Sequence, residues 1–283
     1  MSLKVNQADF SVLMAVYLHA DAEHLNFSLY SLINQSLLPR EIVLVCDGPI
    51  TEELAQVIKK YKRDFEENFD VIFKIVYLDF NVGLGLALNK GINSCKYDII
   101  ARFDADDICI QDRFYIQYNY FISSDLDVLG GMMKEFVQNP DDSSLVFTKP
   151  LTHMEILNYS KYLNPLCHPT VMFKKESVLR AGSYSDMKLF EDYYLWVRML
   201  KKGYIFGNLD QILVYFRVGD DMIGRRHGLS YFRREFRFYY QSFLYHHLNI
   251  IEFVLIVLSK LMLRILPKYL MSLVYKQLMR KKA

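Results

Sequence analysis

Apolar residues along this chain fall into two rhythms. Short unbroken runs alternate with stretches where they recur every three or four positions. Residues 10–17 (Phe-Ser-Val-Leu-Met-Ala-Val-Tyr), 41–46 and 71–78 are runs of the first kind, suited to strands buried on both faces. Between them, residues 21–35 put Leu25, Leu29, Leu32 and Ile33 on one helical face, and Pro39 is read as the stop. Residues 51–61 open on Thr51 as N-cap and carry Leu54, Val57 and Ile58. Residues 83–94 read as a helix and 98–103 as a fourth strand. Strand–helix alternation of this kind means βαβ units, hence a parallel sheet with helices on both faces. Ligands of such sheets sit at the carboxyl ends of the strands. Here those ends carry Tyr17, Asp47, Asn81 and Asp104-Ala105-Asp106.

The second half is less regular. The pattern predicts a helix over 111–123, a strand over 126–137 with Gly130-Gly131 allowing close backbone approach, a turn over 139–144 and a helix over 153–159. A strand over 168–173, a short helix over 175–181 before Gly182, a helix over 190–202 stopped by Gly203 and a last strand over 212–217 follow. Everything beyond Gly224 reads as helical.

With 283 residues the chain suits one large domain, or a domain with an appendage. Cys46, Cys95, Cys109 and Cys167 are far apart and form no Cys-x-x-Cys, which argues against a zinc ribbon or a disulfide framework and fits a reducing compartment. The first nine residues hold no apolar leader. The net charge of +2 hides an asymmetry: from Arg217 onward thirteen Lys or Arg face four Asp or Glu, so one end presents a basic partner surface. Residues 250–266 are strongly apolar but interrupted by Glu252, Ser259, Lys260 and Arg264. That run is too short to cross a bilayer and suits a helix lying on an anionic membrane surface; a core helix or an oligomer contact fits the same pattern.

The densest chemistry is at Asp104, Asp106 and Asp107, three carboxylates within four residues at the end of an apolar strand. Like charges this close repel, and a hard cation such as Mg²⁺ or Mn²⁺ relieves them while leaving coordination positions for substrate phosphates. A solvated acidic turn with Asp107 as helix cap is the plain alternative. The stretch fails the calcium-hand pattern, since Cys109 and Tyr115 stand where glycine and glutamate are needed. Gly83-Leu84-Gly85 lacks both the third glycine of a dinucleotide fingerprint and the Lys-Ser/Thr end of a P-loop. Asp47 fits a base or ribose contact as well as it fits a turn bond to its own backbone. Glu191-Asp192 opens a helix, as caps or as a general base. His168 reads first as structural. Arg217, Arg225, Arg226 and His227 suit phosphate oxygens or a solvated face.

Order and spacing of these pieces resemble a family 2 glycosyltransferase with the GT-A fold, an α/β Rossmann-like, mainly parallel sheet flanked by helices. The carriers are residues 11–17, Ile42-Val43-Leu44-Val45-Cys46-Asp47-Gly48, Asn81-Val82-Gly83-Leu84 leading to Ala87-Leu88-Asn89-Lys90-Gly91-Ile92, Phe103-Asp104-Ala105-Asp106-Asp107 and Phe190-Glu191-Asp192-Tyr193-Tyr194-Leu195-Trp196. Tyr215-Phe216-Arg217-Val218 and Arg225-Arg226-His227-Gly228 are similar to bacterial exopolysaccharide and O-antigen transferases of the amylovoran-biosynthesis type. The resemblance implies a transferase domain over residues 1–217 and a basic, apolar helical extension over 218–283. It implies donor contacts from Tyr17, Asp47, Asn81, Asn89, Asp104 and Arg217, a Mn²⁺ or Mg²⁺ ion on Asp106 with Asp104, and Asp192 as base supported by Glu191. Leu88 stands where many members carry Arg. The implied reaction moves a sugar, with inversion, from a UDP-sugar to a saccharide acceptor, including one carried on a lipid. The expected place is cytoplasmic, on the inner face of the cytoplasmic membrane, with no nucleic-acid partner. A sugar nucleotidyltransferase and a non-catalytic nucleotide-sugar binder are the competing readings.

Overall fold

The computed structural model describes residues 6–140, 145–219 and 227–266, together with the backbone of 281–282. Its first half is built on four parallel strands. β1 (Gln7–Tyr17) lies between β2 (Leu38–Asp47) and β4 (Ile99–Arg102), and β3 (Ile72–Tyr77) adds beyond β2. Alternate residues of β1 enter different cores, as a pleated strand buried on both sides requires. Phe10, Val12, Met14 and Val16 meet Leu25, Leu29 and Leu32 of α1 (Ala22–Ile33) and Leu54, Ile58, Tyr61 and Phe65 of α2 (Glu52–Phe69). Leu13 faces the other way, toward Ala87, Leu88 and Ile92 of α3 (Leu84–Ser94). There α3 presses on the sheet: a Cβ on Gly91 would stand 2.2 Å from Leu13 Cδ1.

Two expectations need adjusting here. Pro39 does not stop α1, which ends at Asn34; it lies inside β2, opposite Ala8 at an irregular start of the ladder, where a missing N–H is tolerated. Helix α2 runs past Tyr61 because Phe65 continues its buried stripe, and it ends at Phe69 before Asp70 turns left-handed (φ 54°).

Beyond β4 the sheet becomes mixed. After the two-residue β5 (Ile108–Cys109) and α4 (Arg113–Ile122) come β6 (Val128–Phe136), β7 (Leu145–Phe147), α5 (His153–Tyr159), β8 (Met172–Lys174), α6 (Lys175–Arg180), α7 (Glu191–Lys201) and β9 (Phe206–Arg217). β8 pairs antiparallel with both β4 and β6, β6 pairs parallel with β9, and β5 pairs antiparallel with β9. The strand expected over 168–173 splits. His168–Thr170 is a 3₁₀ turn, because Pro169 has no N–H for a ladder and the Thr170 hydroxyl is spent on the carbonyls of Cys167 and Gly131. β9 starts six residues early, its first half hidden in the sequence by the polar Asn208, Asp210 and Gln211. β7 was not anticipated.

The helical reading beyond Gly224 holds for α8 (Leu229–Leu244) and α9 (Ile250–Ile265), while 281–282 are extended beside β7; Arg225, Arg226 and residues 267–280 lie outside the described residues. These helices share a core with α7: Phe190, Tyr193 and Val197 pack with Tyr231, Phe238, Tyr239, Leu248 and Ile256. Lys161 joins Glu252 at 2.7 Å, and Ser160 Oγ joins His247 Nε2 at 3.0 Å. No described helix is long and apolar enough to cross a membrane. All four cysteines are buried and unpaired.

Candidate active site

β4 ends in a charge. Arg102 is buried and forks onto both carboxylate oxygens of Asp104, with Nη1–Oδ2 at 2.6 Å and Nη2 on Oδ1. Such a bidentate pair fixes direction as well as charge. The loop that follows is held from three more sides. Ser28 Oγ donates to the Asp104 carbonyl (2.9 Å), and Arg113 Nη2 donates to the Arg102 carbonyl (2.8 Å). From the end of β9, Arg217 Nε donates to the Asp106 carbonyl (3.1 Å) and its backbone N–H to Asp107 Oδ1 (2.9 Å). Arg217, expected on a phosphate, thus braces the acidic loop, with its guanidinium also on the Val137 carbonyl (3.1 Å) and 4.4 Å over the Phe136 ring.

Asp104, Asp106 and Asp107 each bring an oxygen within 4.8 Å of the others. Asp106 is the most exposed residue of the three, its carboxyl still partly enclosed by the cluster, whereas Asp107 is fully buried and its Oδ2 has no hydrogen-bond partner among the described residues. Burial and the Asp104 charge push the Asp106 carboxyl up to about 6, and burial with both neighbours holds Asp107 well above the usual range. Oxygen donors, mutual repulsion and an orphaned buried oxygen are what a hard divalent cation would relieve, so the residues fit one.

Asp47 closes β2 beside Tyr17, its register partner at the end of β1. Its carboxylate is buried and accepts from the backbone N–H of Val82 (2.7 Å, Oδ1) and Gly83 (3.0 Å, Oδ2). Asn81 Nδ2 donates to the Asp47 carbonyl (3.2 Å). Both therefore shape the loop that opens α3. Gly48 is required by the same contact: at φ +87° a Cβ there would stand 2.8 Å from Asn81 N. Tyr17 is half exposed at the rim, edge-on to His19. Asn89 turns away from the rim; its amide exchanges bonds with the Tyr184 backbone (2.7 and 2.9 Å), tying α3 to the segment before α7.

α7 brings Glu191 and Asp192 in its first turn. Asn164 Nδ2 donates to Asp192 Oδ2 (2.7 Å). Burial raises the Asp192 carboxyl, opposed by Asn164; burial and then the Asp192 charge raise Glu191, whose Oε2 is buried without a hydrogen-bond partner among the described residues. His168 bonds the Tyr184 hydroxyl (2.8 Å) against Trp196, and burial with nearby Arg102 keeps it neutral, as a structural residue.

A cleft of about 370 Å³ brings together Leu84, Arg102, Asp104, Asn164, His168 and Asp192 in its wall, while Tyr17, Asp47, Asn81, Asp106 and Glu191 do not line it. Asp106 adjoins it through the cluster, and Asp47 acts from behind through the loop leading to Leu84. Arg102 and Asn164 were not singled out from sequence. A charge closing an apolar strand was the signal for Arg102, since a buried charge needs a partner; Asn164, before Pro165, reads only as a turn.

The parallel half-sheet, the carboxylate cluster at its rim and a helix-borne carboxylate across the cleft define a GT-A glycosyltransferase. The chain belongs to glycosyl transferase family 2, whose model matches residues 11–181. It is 33% identical over 273 residues to UDP-Gal:alpha-D-GlcNAc-diphosphoundecaprenol beta-1,3-galactosyltransferase of Escherichia coli, covering 96% of this chain and 97% of that protein. It is 35% identical over 269 residues to the amylovoran biosynthesis glycosyltransferase AmsE of Erwinia amylovora, covering 95% and 98%. Among solved structures, residues 1–349 of TarS from S. aureus, in complex with UDP-GlcNAc, superpose with a TM-score of 0.66 at 18% identity, covering 90% of this chain and 72% of that one. The mannosyltransferase PcManGT from Pyrobaculum calidifontis, in complex with GDP-Man and Mn²⁺, gives 0.62 at 14%, covering 95% and 79%.

Proposed function

We propose that this glycosyltransferase moves a sugar from a UDP-sugar to a saccharide acceptor carried on a lipid diphosphate, with inversion, during surface-polysaccharide synthesis. The observation that carries the reading is the single cleft shared by Asp104 and Asp192. The names of the Escherichia coli and Erwinia amylovora relatives support the acceptor and the polysaccharide role, and the UDP-GlcNAc complex of TarS supports the donor.

Asp104 and Asp106 would hold a divalent cation, with Asp107 beneath them. Such a cation, when bound, offsets charge on a departing diphosphate. Arg102 keeps Asp104 aimed while this happens, and the Asp47-braced loop places backbone at the nucleoside end. Asp192 takes the acceptor hydroxyl's proton as that oxygen bonds to the sugar's anomeric carbon and the carbon–phosphate oxygen bond breaks on the opposite face. Asn164 fixes the carboxylate for that transfer. The exposed apolar side of α9 and the basic C-terminal residues support seating on an anionic membrane.

Asp192→Asn tests the base. Transfer should fall by about 10²-fold or more with UDP binding retained; near-normal turnover would remove Asp192 from the role. Asp106→Ala should abolish the dependence of UDP binding on Mn²⁺, and identical binding with and without chelator in the parent protein would refute the metal site.

A further inference from the structure

The cleft also takes in the C-terminal helices. Its far wall is made by Tyr231, Glu235 and Tyr239 of α8 and by Lys260 and Arg264 of α9, lining the same space as Arg102 and Asp104. In that half the described charges are unequal. Glu235 accepts from Arg264 through both oxygens (2.9 Å each), while Lys260 Nζ stands 3.8 Å from it, beyond hydrogen-bond reach. Among the described residues Lys260 shares the single carboxylate of Glu235 with Arg264, little opposing charge for a cation so enclosed, and burial holds Lys260 below the usual lysine range.

The faces of α9 add direction. Ile256, Lys260 and Arg264 succeed one another at four-residue steps on the side toward the protein, and all are largely buried. Ile251, Leu255, Leu258, Met262 and Ile265 are exposed on the opposite side. A helix with its side chains is about 10 Å across. An anion at Lys260 would therefore sit about one helix diameter from an exposed apolar surface, as a lipid head group sits above its own chains.

We infer that Lys260, with Arg264 beside it, holds the diphosphate of a lipid-linked acceptor and so delivers the acceptor sugar to Asp192. This rests on the transferase reading above. In this reading the acidic rim keeps the donor diphosphate and Lys260 the acceptor's, so the two bind together.

The test uses the full chain with Mn²⁺ and saturating UDP, titrated with farnesyl diphosphate by calorimetry. Binding should persist with UDP present, weaken about ten- to hundredfold in Lys260→Gln and return in Lys260→Arg, with UDP affinity equal in all three. Unchanged farnesyl diphosphate affinity in Lys260→Gln, with UDP binding intact, would overturn the acceptor site and leave the transferase reading standing. Displacement of farnesyl diphosphate by UDP would place it in the donor site and also overturn the proposal. A Lys260→Gln loss confined to phosphatidylglycerol vesicles would assign the lysine to bilayer head groups instead. Failure of the parent protein to bind UDP with Mn²⁺ would strike the transferase reading and the acceptor site with it.

Discussion

Arg102 reaches Asp104 from inside the sheet, two residues back along the same strand end, and grips it through both nitrogens. It is the cation bonded directly to a carboxylate of the cluster, whereas the Arg217 guanidinium donates to the Asp106 carbonyl. Replacing it with Met should cost about 3 kcal/mol, the lower end for a broken buried pair because Asp104 is partly exposed. Without that guanidinium the Asp106 and Asp107 carboxyls titrate still higher. A carboxyl raised in the folded state favours folding at low pH and opposes it as pH rises through its folded value. The deficit measured by urea unfolding should therefore shrink from neutral toward about pH 5. A deficit independent of pH would mean that Arg102 acts by packing alone.

Asp192 gives a second pH signature. A base is active only when deprotonated, and burial raises this one. The acid limb of kcat/KM should lie above the ordinary carboxylate range of about 4. Asn164→Ala removes a bond that favours the charged form, so that limb should move up by about 0.5–1 unit. A downward move would show that Asn164 serves the protonated acid.

Asp107 is a stability cost retained at the site. In Asp107→Asn one like charge disappears while an oxygen still accepts from Arg217. Without metal the melting temperature should rise by about 2–4 °C, the effect of ~1 kcal/mol in a chain of this size. The further rise given by Mn²⁺ with UDP should be smaller than in the parent protein. A lower melting temperature in the metal-free variant would reverse the argument.

Asp47→Ala strands two N–H groups, at Val82 and Gly83. It should destabilise by about 1–3 kcal/mol and raise KM for the donor more than it lowers kcat. A kcat effect alone would place Asp47 in the chemical step.

Leu255→Glu with Leu258→Glu puts charge on the exposed side of α9 without touching its packing on α7 and α8. Co-sedimentation with anionic vesicles should drop sharply while UDP binding is unchanged. Equal sedimentation would move the membrane contact elsewhere on the chain.

What could be read in advance was whatever one segment decides. An apolar run ending in Asp104-Ala105-Asp106-Asp107 announces a sheet rim with a cation-seeking cluster, and Leu54-Ile58-Tyr61 announces a helix. What could not be read was decided by distant segments. The amide of Asn89 is claimed by Tyr184, 95 positions later. Arg217 is drawn to the carbonyl of Asp106 by the pairing of β5 with β9. Asn164 meets Asp192 only because the 160s loop folds back across α7. The polar start of β9 hid a strand because a neighbour, not its own pattern, makes it one.

The buried sulfurs have a practical use. Cys46 and Cys95 are pushed up to about 12, and Cys109 and Cys167 to about 11, so none is a thiolate near neutrality. They sit beside Asp47, at the end of α3, behind the acidic loop and next to His168. Alkylation of each can occur only when its own neighbourhood opens, so the unmodified protein carries four internal clocks, one for each piece of chain that builds the cleft.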